Sequence, residues 1–356
     1  MTNTDIQSVR IGRHSVGFGS PVFVIAEAGV NHNGDLDLAR RLVIEAKEAG
    51  ADCVKFQTFQ AERVVTVDAP KAAYQLENTD AKESQLDMLR KLELSPEVYV
   101  DLIHLCKQMD IVFMSTPYNI EDVDFLDELG VAAFKLASIH VAEPYFIDYV
   151  ARRGKPVILS TGMATVDEVS NAVQTFLRTG NQQLILLQCT TNYPSQPKDA
   201  NLRAITTMRT EFGVPTGYSD HTETDVACVA SIALGACVIE KHFTIDKSLP
   251  GPDQSSSANP QEFRSLVQRL KEVQIALGTG VKEPCEIERV NAIGMRRSIV
   301  ARTRILSGEV IQADTLTFKR PATGLVPSLM EDVVGKVAAL TIEPDQMLTW
   351  EMIRES

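Results

Sequence analysis

Thr216-Gly217-Tyr218-Ser219-Asp220-His221-Thr222 and Val238-Ile239-Glu240-Lys241-His242-Phe243-Thr244 lie at the two ends of one segment, 216–244, from which the architecture can be inferred. Each segment reads as a short strand that stops on a histidine. Between them, residues 225–235 are small, apolar and helix-like. Parallel strands joined by one crossover helix lie side by side, so their ends come together. His221 and His242 are thereby placed where they can share one ion.

The same unit recurs along the rest of the chain. Residues 21–29 form an apolar strand carrying Glu27 near its end, and residues 35–50 follow at helical spacing. Further apolar runs occupy 53–59, 111–117, 132–138, 156–162 and 184–190, with a last helix over 262–277. Eight near-continuous apolar strands alternating with helices argue for parallel strands covered on both faces. Their span is close to the roughly 250 residues of a closed (β/α)8 barrel, which favours a TIM barrel over an open sheet. The polar residues gather at the C-terminal strand ends, the face on which such barrels carry their sites. They are Glu27, Lys55, Gln57, Thr116, Lys135, Ser138, Ser160, Thr190, Ser219, His221, Glu240 and His242.

The expected layout is a barrel over 1–280 that begins with a hairpin at 6–20, a charged linker at 281–294, and a small β-rich domain at 295–356. Some sixty residues of short β-branched runs with Gly and Pro turns have little core of their own and are expected to lean on something larger. Residues 60–94 are too long for a simple joint and are expected to cover a site.

The chain has 356 residues, is 44% hydrophobic and carries a net charge of -12. The composition is globular, and the charge argues against nucleic-acid or anionic-membrane partners. It leaves room for a small anionic substrate, because a pocket can be locally basic. The 6 cysteines form no CxxC pair, as expected of reduced thiols in a cytoplasmic protein. Residues 1–10 are polar and lack an apolar signal core, and the longest apolar stretch, 226–239, is too short to span a bilayer.

Two imidazoles on neighbouring strand ends suit a borderline divalent ion with positions left open for water and substrate; the alternative is a pair of hydrogen-bonded mouth residues. Lys55 and Lys135 lie in otherwise apolar runs, so each must be paired or reach a cavity. With Thr116, Ser138, Ser160 and Ser219 they suit an oxyanion or phosphate pocket. Structural ion pairing with Glu27 or Glu240 and a Schiff-base lysine are the alternatives. Glu27 suits an acid or base role, or a salt bridge to Lys55. Asp253, in the rigid Pro250-Gly251-Pro252-Asp253 loop, faces the mouth or merely caps a turn.

Across these residues the chain resembles the sialic acid (N-acetylneuraminate) synthase family. The resemblance rests on Ile25-Ala26-Glu27-Ala28-Gly29-Val30-Asn31-His32-Asn33-Gly34, Val54-Lys55-Phe56-Gln57, Ser115-Thr116-Pro117, Phe134-Lys135-Leu136-Ala137-Ser138, Leu159-Ser160-Thr161-Gly162-Met163, the two histidine strands and Gly251-Pro252-Asp253. The tail, with Lys319-Arg320-Pro321, resembles the family's antifreeze-like (SAF) domain. The resemblance implies condensation of phosphoenolpyruvate with an open-chain N-acetylmannosamine-type sugar, with C–O cleavage and release of phosphate. It implies that His221 and His242 hold a divalent metal, Mn first, with Mg or Co as substitutes. It assigns Lys55, Thr116, Lys135, Ser138, Ser160, Thr191 and Ser219 to phosphoenolpyruvate, and Glu27 to the water or proton steps. Gln57, Tyr193 and Asp253 are assigned to the sugar. Arg320 is assigned to the sugar N-acyl group in the barrel of a partner subunit, which implies a domain-swapped homodimer.

Two departures bear on the substrate. Where the family often has Ser-x-Glu, with the Glu on the sugar, this chain has Ser138-Ile139-His140, which puts His140 among the sugar contacts. Thr191 stands before Asn192-Tyr193 where the family often has Asn or Ser. The first departure makes a 2,4-diacetamido-2,4,6-trideoxy sugar, and a legionaminate- or pseudaminate-type product, the alternative. A phosphorylated aldose would need a second cationic cluster, for which only Lys319 and Arg320 offer themselves. A non-catalytic sugar-binding or ice-binding protein, suggested by the tail alone, has no use for Glu27, two buried lysines and two histidines at strand ends.

Overall fold

The computed structural model describes residues 8–355, the side chain of Glu77 excepted. Ile6 and Gln7 of the expected hairpin, and most of the polar start, lie outside the described residues. Contacts divide the chain into two compact units, with the boundary between Gly278 and Thr279.

The first unit is built on one eight-stranded sheet. Its strands are β1 (Phe23–Gly29), β2 (Cys53–Thr58), β3 (Val112–Pro117), β4 (Phe134–Leu136), β5 (Val157–Ser160), β6 (Leu184–Cys189), β7 (Thr216–Asp220) and β8 (Val238–His242). All neighbours pair in parallel, and β8 pairs with both β7 and β1, so the sheet curls round on itself. The ladder leaves a single seam, between β3 and β4, giving a nearly closed barrel. Strands buried on both faces explain the unbroken apolar runs in the sequence.

The covering helices follow from local signals. The helix Leu36–Glu48 starts where the Asp35 carboxylate accepts from the Leu38 amide, and it buries Ala39, Leu42, Val43 and Ala46 against the sheet. Thr165 and Glu168 form a reciprocal cap for the helix Val166–Leu177. Pro260 at the first turn opens the last barrel helix, Pro260–Leu277.

Period-two alternation sorts the interior into two levels. Low in the barrel, Phe23, Ile25, Cys53, Met114, Ile158, Ile185 and Leu187 form an apolar cluster with Val9, Ile11 and Val16. Those last three come from the antiparallel hairpin Val9–Ile11 and His14–Val16, which plugs that end. One inward step toward the C-terminal ends, the same strands carry Glu27, Lys55, Thr116, Lys135, Ser160, Cys189, Ser219 and Glu240. Gly217 leaves room for this stacking, since a Cβ there would lie 2.4 Å from the Val238 carbonyl oxygen.

The connection after β2 folds into short helices at Ala61–Val64, Ala73–Asn78 and Gln85–Arg90. The second unit has more core than its length suggested: Ile299, Ala301, Ile305, Ile311, Leu316, Val333, Ile342 and Leu348 are all buried together. The charged segment expected as a linker carries a helix, Glu286–Met295, none of whose residues is buried. Among the described residues no helix is long and apolar enough to cross a membrane. Five cysteines are buried and unpaired, and Cys285 is exposed.

Candidate active site

Strand register places the ionisable residues opposite one another: Glu27 faces Lys55 across β1 and β2, and Glu240 faces Ser219 across β8 and β7. The Lys55 ammonium lies 2.7 Å from Glu27 Oε2 and 3.7 Å from Glu240 Oε2, and it donates to Thr116 Oγ1 at 3.1 Å. Lys135 donates to Ser160 Oγ at 2.7 Å and lies 3.5 Å from Glu240 Oε1, which also accepts from Ser219 Oγ at 2.9 Å. Both lysines therefore have carboxylate partners, as the structural alternative held, and both also touch hydroxyls.

Burial and neighbouring charge set the protonation of this floor. Burial pushes the Glu27 carboxyl up to about 7, with Lys55 opposing and Glu240 adding to the rise. Burial pulls against the Lys55 charge, but Glu240 and Glu27 outweigh it and hold the ammonium above its ordinary range. Burial likewise opposes ionisation of Glu240, yet Lys135 and Lys55 keep it below the usual carboxylate value. Lys135 is pulled below its usual value by burial, against the attraction of Glu240. Near neutrality the floor holds two ammonium groups, one firm carboxylate, and one carboxyl poised to gain or lose a proton.

The two histidines stand beside this floor with ring centroids 5.3 Å apart. His221 Nδ1–H donates to the Thr190 carbonyl at 2.6 Å, which leaves Nε2 as the ligating nitrogen; burial opposes the ring's charge, but Cys189 and that carbonyl hold it above the ordinary imidazole value, so a metal there would displace the Nε2 proton. Burial, then the neighbouring His221 and Lys55, push His242 well below the ordinary imidazole value, so it is neutral. Its buried Nδ1 has no hydrogen-bond partner. A buried, neutral, unpartnered imidazole nitrogen beside a second ring whose Nε2 becomes a donor once its proton is displaced fits a divalent ion. Among the described residues no group of three or more His, Cys, Asp and Glu could hold a metal, so the protein's share would be these two nitrogens. Asp253 Oδ2 lies 3.8 Å from His242 Nδ1, and burial raises its carboxyl to about 6 against the pull of His221.

Above the floor opens a cavity of about 410 Å³. Gln57, Ser138, Thr191, Tyr193, His242 and Asp253 of the expected site line it. Tyr193 packs on His221 with ring centroids 4.1 Å apart. Ser138 Oγ accepts from the Gly162 amide at 2.9 Å. Gly162 has no substitute here, since a Cβ would lie 2.4 Å from Thr191 Oγ1 and 2.9 Å from Ser138 Oγ. The connection after β2 supplies much of the wall, including Val64, Tyr74, Gln75, Met88 and Leu92. Asn78 ties it down by donating to the Pro252 carbonyl at 3.1 Å.

One expected residue is misplaced. His140 does not line this cavity. Residues Ser138–Ala142 form a 3-10 turn, so Ser138 and Ile139 face the cavity while the His140 ring turns away. It packs on Phe146 with centroids 4.4 Å apart, and its Nδ1–H donates to Glu143 at 2.8 Å. Arg320 belongs to the second unit, directly after the strand Leu316–Lys319, and is exposed.

Two further residues of the site, Tyr118 and Tyr74, are not among those expected from the sequence, and Glu240, expected at a strand end on this face, has a larger part than pairing with the lysines. Tyr118, which donates to Gln57 Oε1 at 3.2 Å while Gln57 Nε2 donates to Glu27 Oε1 at 3.2 Å, follows a strand end directly. Tyr74, whose ring packs on Tyr193 at 5.0 Å, sits in a segment with no periodic signal.

A parallel barrel with buried ammonium groups, a titratable carboxyl and two imidazoles at its C-terminal mouth belongs to the class of barrel enzymes handling small anions. The NeuB family model matches residues 42–282 and the SAF domain model residues 296–354. The chain belongs to the NeuB family. It is 42% identical over 327 residues to the N,N'-diacetyllegionaminic acid synthase of Campylobacter jejuni, covering 91% of this chain and 98% of that one. It is 36% identical over 343 residues to the human N-acetylneuraminate-9-phosphate synthase, covering 95% and 94%. The solved N-acetylneuraminic acid synthetase of Leptospira borgpetersenii, in complex with citrate, matches with a TM-score of 0.72 and 34% identity, over 80% of this chain and 95% of that one.

Proposed function

We propose that this nonulosonic acid synthase condenses phosphoenolpyruvate with an unphosphorylated, open-chain acylamino sugar, releasing phosphate by C–O cleavage. The observation that carries the reading is the floor: Lys55 and Lys135 beside Thr116, Ser160 and Ser219, with Glu27 held near neutrality. Two fixed ammonium groups and a set of hydroxyls hold the carboxylate and phosphate of the enol phosphate without reorganisation. Ser138 and Thr191, meeting over Gly162, extend the cradle towards the sugar. The enol carbon attacks the sugar aldehyde, water is captured at C2, and the tetrahedral intermediate expels phosphate. Glu27, titrating near 7, takes the proton from that water and passes it to the alkoxide left on the former aldehyde carbon, while the C2 hydroxyl proton leaves with the departing phosphate. Gln57, Tyr193 and Asp253 orient the sugar.

A divalent ion, Mn first, held by His221 and His242, would supply Lewis-acid polarisation of the aldehyde. Arg320 would serve the sugar N-acyl group within a domain-swapped homodimer.

The cavity wall bears on the sugar. Val30, Phe59, Val64, Leu89, Leu92, Ile139 and Met163 line it, and among the described lining residues there is no Lys or Arg. Arg320 aside, which is assigned to the N-acyl group, a sugar phosphate would find no counter-charge there, whereas a C6 methyl and a second acetamido methyl would find apolar surface. This favours a 2,4-diacetamido-2,4,6-trideoxyhexose over N-acetylmannosamine. The test is phosphate release from phosphoenolpyruvate labelled with 18O at the bridging position, with Mn and each sugar in turn. The reading expects label in the phosphate, inhibition by a chelator, and a larger kcat/KM for the diacetamido sugar. Label retained in the keto acid refutes C–O cleavage, and a larger value for N-acetylmannosamine refutes the choice of sugar.

A further inference from the structure

The motif residues that precede the two histidines have no part in the chemistry above. Along β7 and β8, Ser219 and Glu240 face the floor. Period-two alternation therefore sends Asp220 and Lys241 out of the barrel, towards the helices. They meet there: Lys241 Nζ lies 2.7 Å from Asp220 Oδ2, with side chains 6% and 0% exposed.

Apart from one bond from Cys228, the further bonds of the pair run to Tyr218, Thr222 and Thr224, the residues around His221. Asp220 Oδ1 accepts from the Thr222 amide at 2.9 Å and from the Tyr218 hydroxyl at 3.1 Å. Asp220 Oδ2 also accepts from Cys228 Sγ at 3.1 Å. Lys241 donates to the Thr222 carbonyl at 2.8 Å and to the Thr224 carbonyl at 3.3 Å. The ladder between the two strands ends with Lys241 opposite Asp220, and the histidines come one residue later. The pair thus continues the link between the strands past the last rung, where the two imidazoles must keep a fixed separation. A buried ion pair contributes little net stability compared with apolar residues of the same volume, whereas its directional bonds specify one geometry.

We propose that Asp220 and Lys241 are positioning residues that set the spacing and orientation of the His221 and His242 rings for a shared divalent ion. The inference rests on the reading of those histidines as metal ligands. Direct hydrogen-bond partners of metal ligands change metal affinity by about 10–100-fold when removed; the pair reaches the rings only through the backbone beside His221, and an effect within that range is what a positioning role requires.

The test is direct Mn binding, followed by electron paramagnetic resonance of free Mn, on the full-length protein without substrate. Wild type, His242→Ala, Asp220→Asn, Lys241→Met and the double variant Asp220→Asn/Lys241→Met are compared, with the thermal midpoint of each. Loss of binding in His242→Ala supports the ligand reading, and unchanged binding there sinks that reading irrespective of the pair. With it intact, each single variant should bind Mn about 10–100-fold more weakly. The double variant leaves no unpaired buried charge, so its thermal midpoint should recover towards wild type while its Mn affinity stays low. If affinity recovers together with stability, or is unchanged in the single variants, positioning is refuted. Should the pair variants fail to fold, Tyr218→Phe decides. It removes one bond to Asp220 and keeps both charges, and an Mn affinity equal to wild type overturns the proposal.

Discussion

Replacing Glu27 with glutamine puts a neutral group of the same shape where the carboxyl sits. In the folded chain burial raises that carboxyl from 4.5 to about 7; in the unfolded chain it titrates near the ordinary value. Below both values the two states are protonated alike. Between them the folded state keeps a proton that the unfolded state has lost, so stability falls as pH rises through the window and levels off above it. A shift of that size at 1.36 kcal/mol per unit corresponds to roughly 3 kcal/mol. Glutamine cannot ionise, so Glu27→Gln should lie within about 1 kcal/mol of wild type at pH 5 and exceed it by roughly 3 kcal/mol at pH 8. Urea midpoints from circular dichroism at 222 nm, taken in steps from pH 5 to 8, give the difference curve. In the same variant turnover should fall by about 10²–10⁴-fold, the usual worth of a positioned acid or base, with the phosphoenolpyruvate KM little changed. A difference curve flat across pH 5–8 refutes the raised carboxyl, and turnover within tenfold of wild type refutes its catalytic role.

Gly162→Ala drives a methyl into Thr191 Oγ1 and Ser138 Oγ; overpacking of about 1–3 kcal/mol should raise the phosphoenolpyruvate KM about tenfold or more, and an unchanged KM would remove those hydroxyls from the cradle. Lys55→Met leaves Glu27 without its ammonium partner and Glu240 with Lys135 alone. It should lose about 3–5 kcal/mol at pH 8, part of which returns in Lys55→Met/Glu27→Gln; a thermal midpoint equal to wild type would contradict the pairing. Phosphoenolpyruvate binding at pH 7.5 should take up protons, because a nearby anion disfavours the Glu27 carboxylate further. Calorimetry in two buffers of different ionisation enthalpy measures this, and proton release would reverse the sign of the argument.

Much of the site was legible because a parallel barrel leaves a plain pattern: apolar runs, with polar residues only where the runs stop. Lys55, Lys135, Glu27 and the histidine pair could be read that way, since each breaks an apolar strand at the same end. Legibility failed where the backbone left the strand. The family resemblance puts His140 among the sugar contacts, at the place of the usual Glu in Ser-x-Glu, but the 3-10 turn that begins at Ser138 turns its ring towards Phe146. Tyr74 and the cavity wall around it come from short helices with too few turns to show a period. The exposed helix Glu286–Met295 buries nothing, so its sequence carries no amphipathic stripe fixed by a core.

The barrel itself shows what the polar level costs. One inward step below it, at equivalent points on the same strands, Ile25, Cys53, Met114, Ile158, Ile185 and Leu187 close into an apolar layer. Repeating that layer would have been the stabler choice, because buried charges recover through pairing only part of the hydration they lose. Instead the next level holds Glu27, Lys55, Lys135 and Glu240, all of them buried. Were all four ionised, their charges would cancel, and the floor would have little attraction for an anion. Glu27 breaks that balance: with its carboxyl near 7, a proton taken up there leaves the floor with one net positive charge. The group that favours anion binding when protonated is then the same group that serves as a base once it gives that proton up. A floor with two fixed cations and no titratable partner would hold phosphate as well, yet it would have nothing with which to accept the proton of the incoming water.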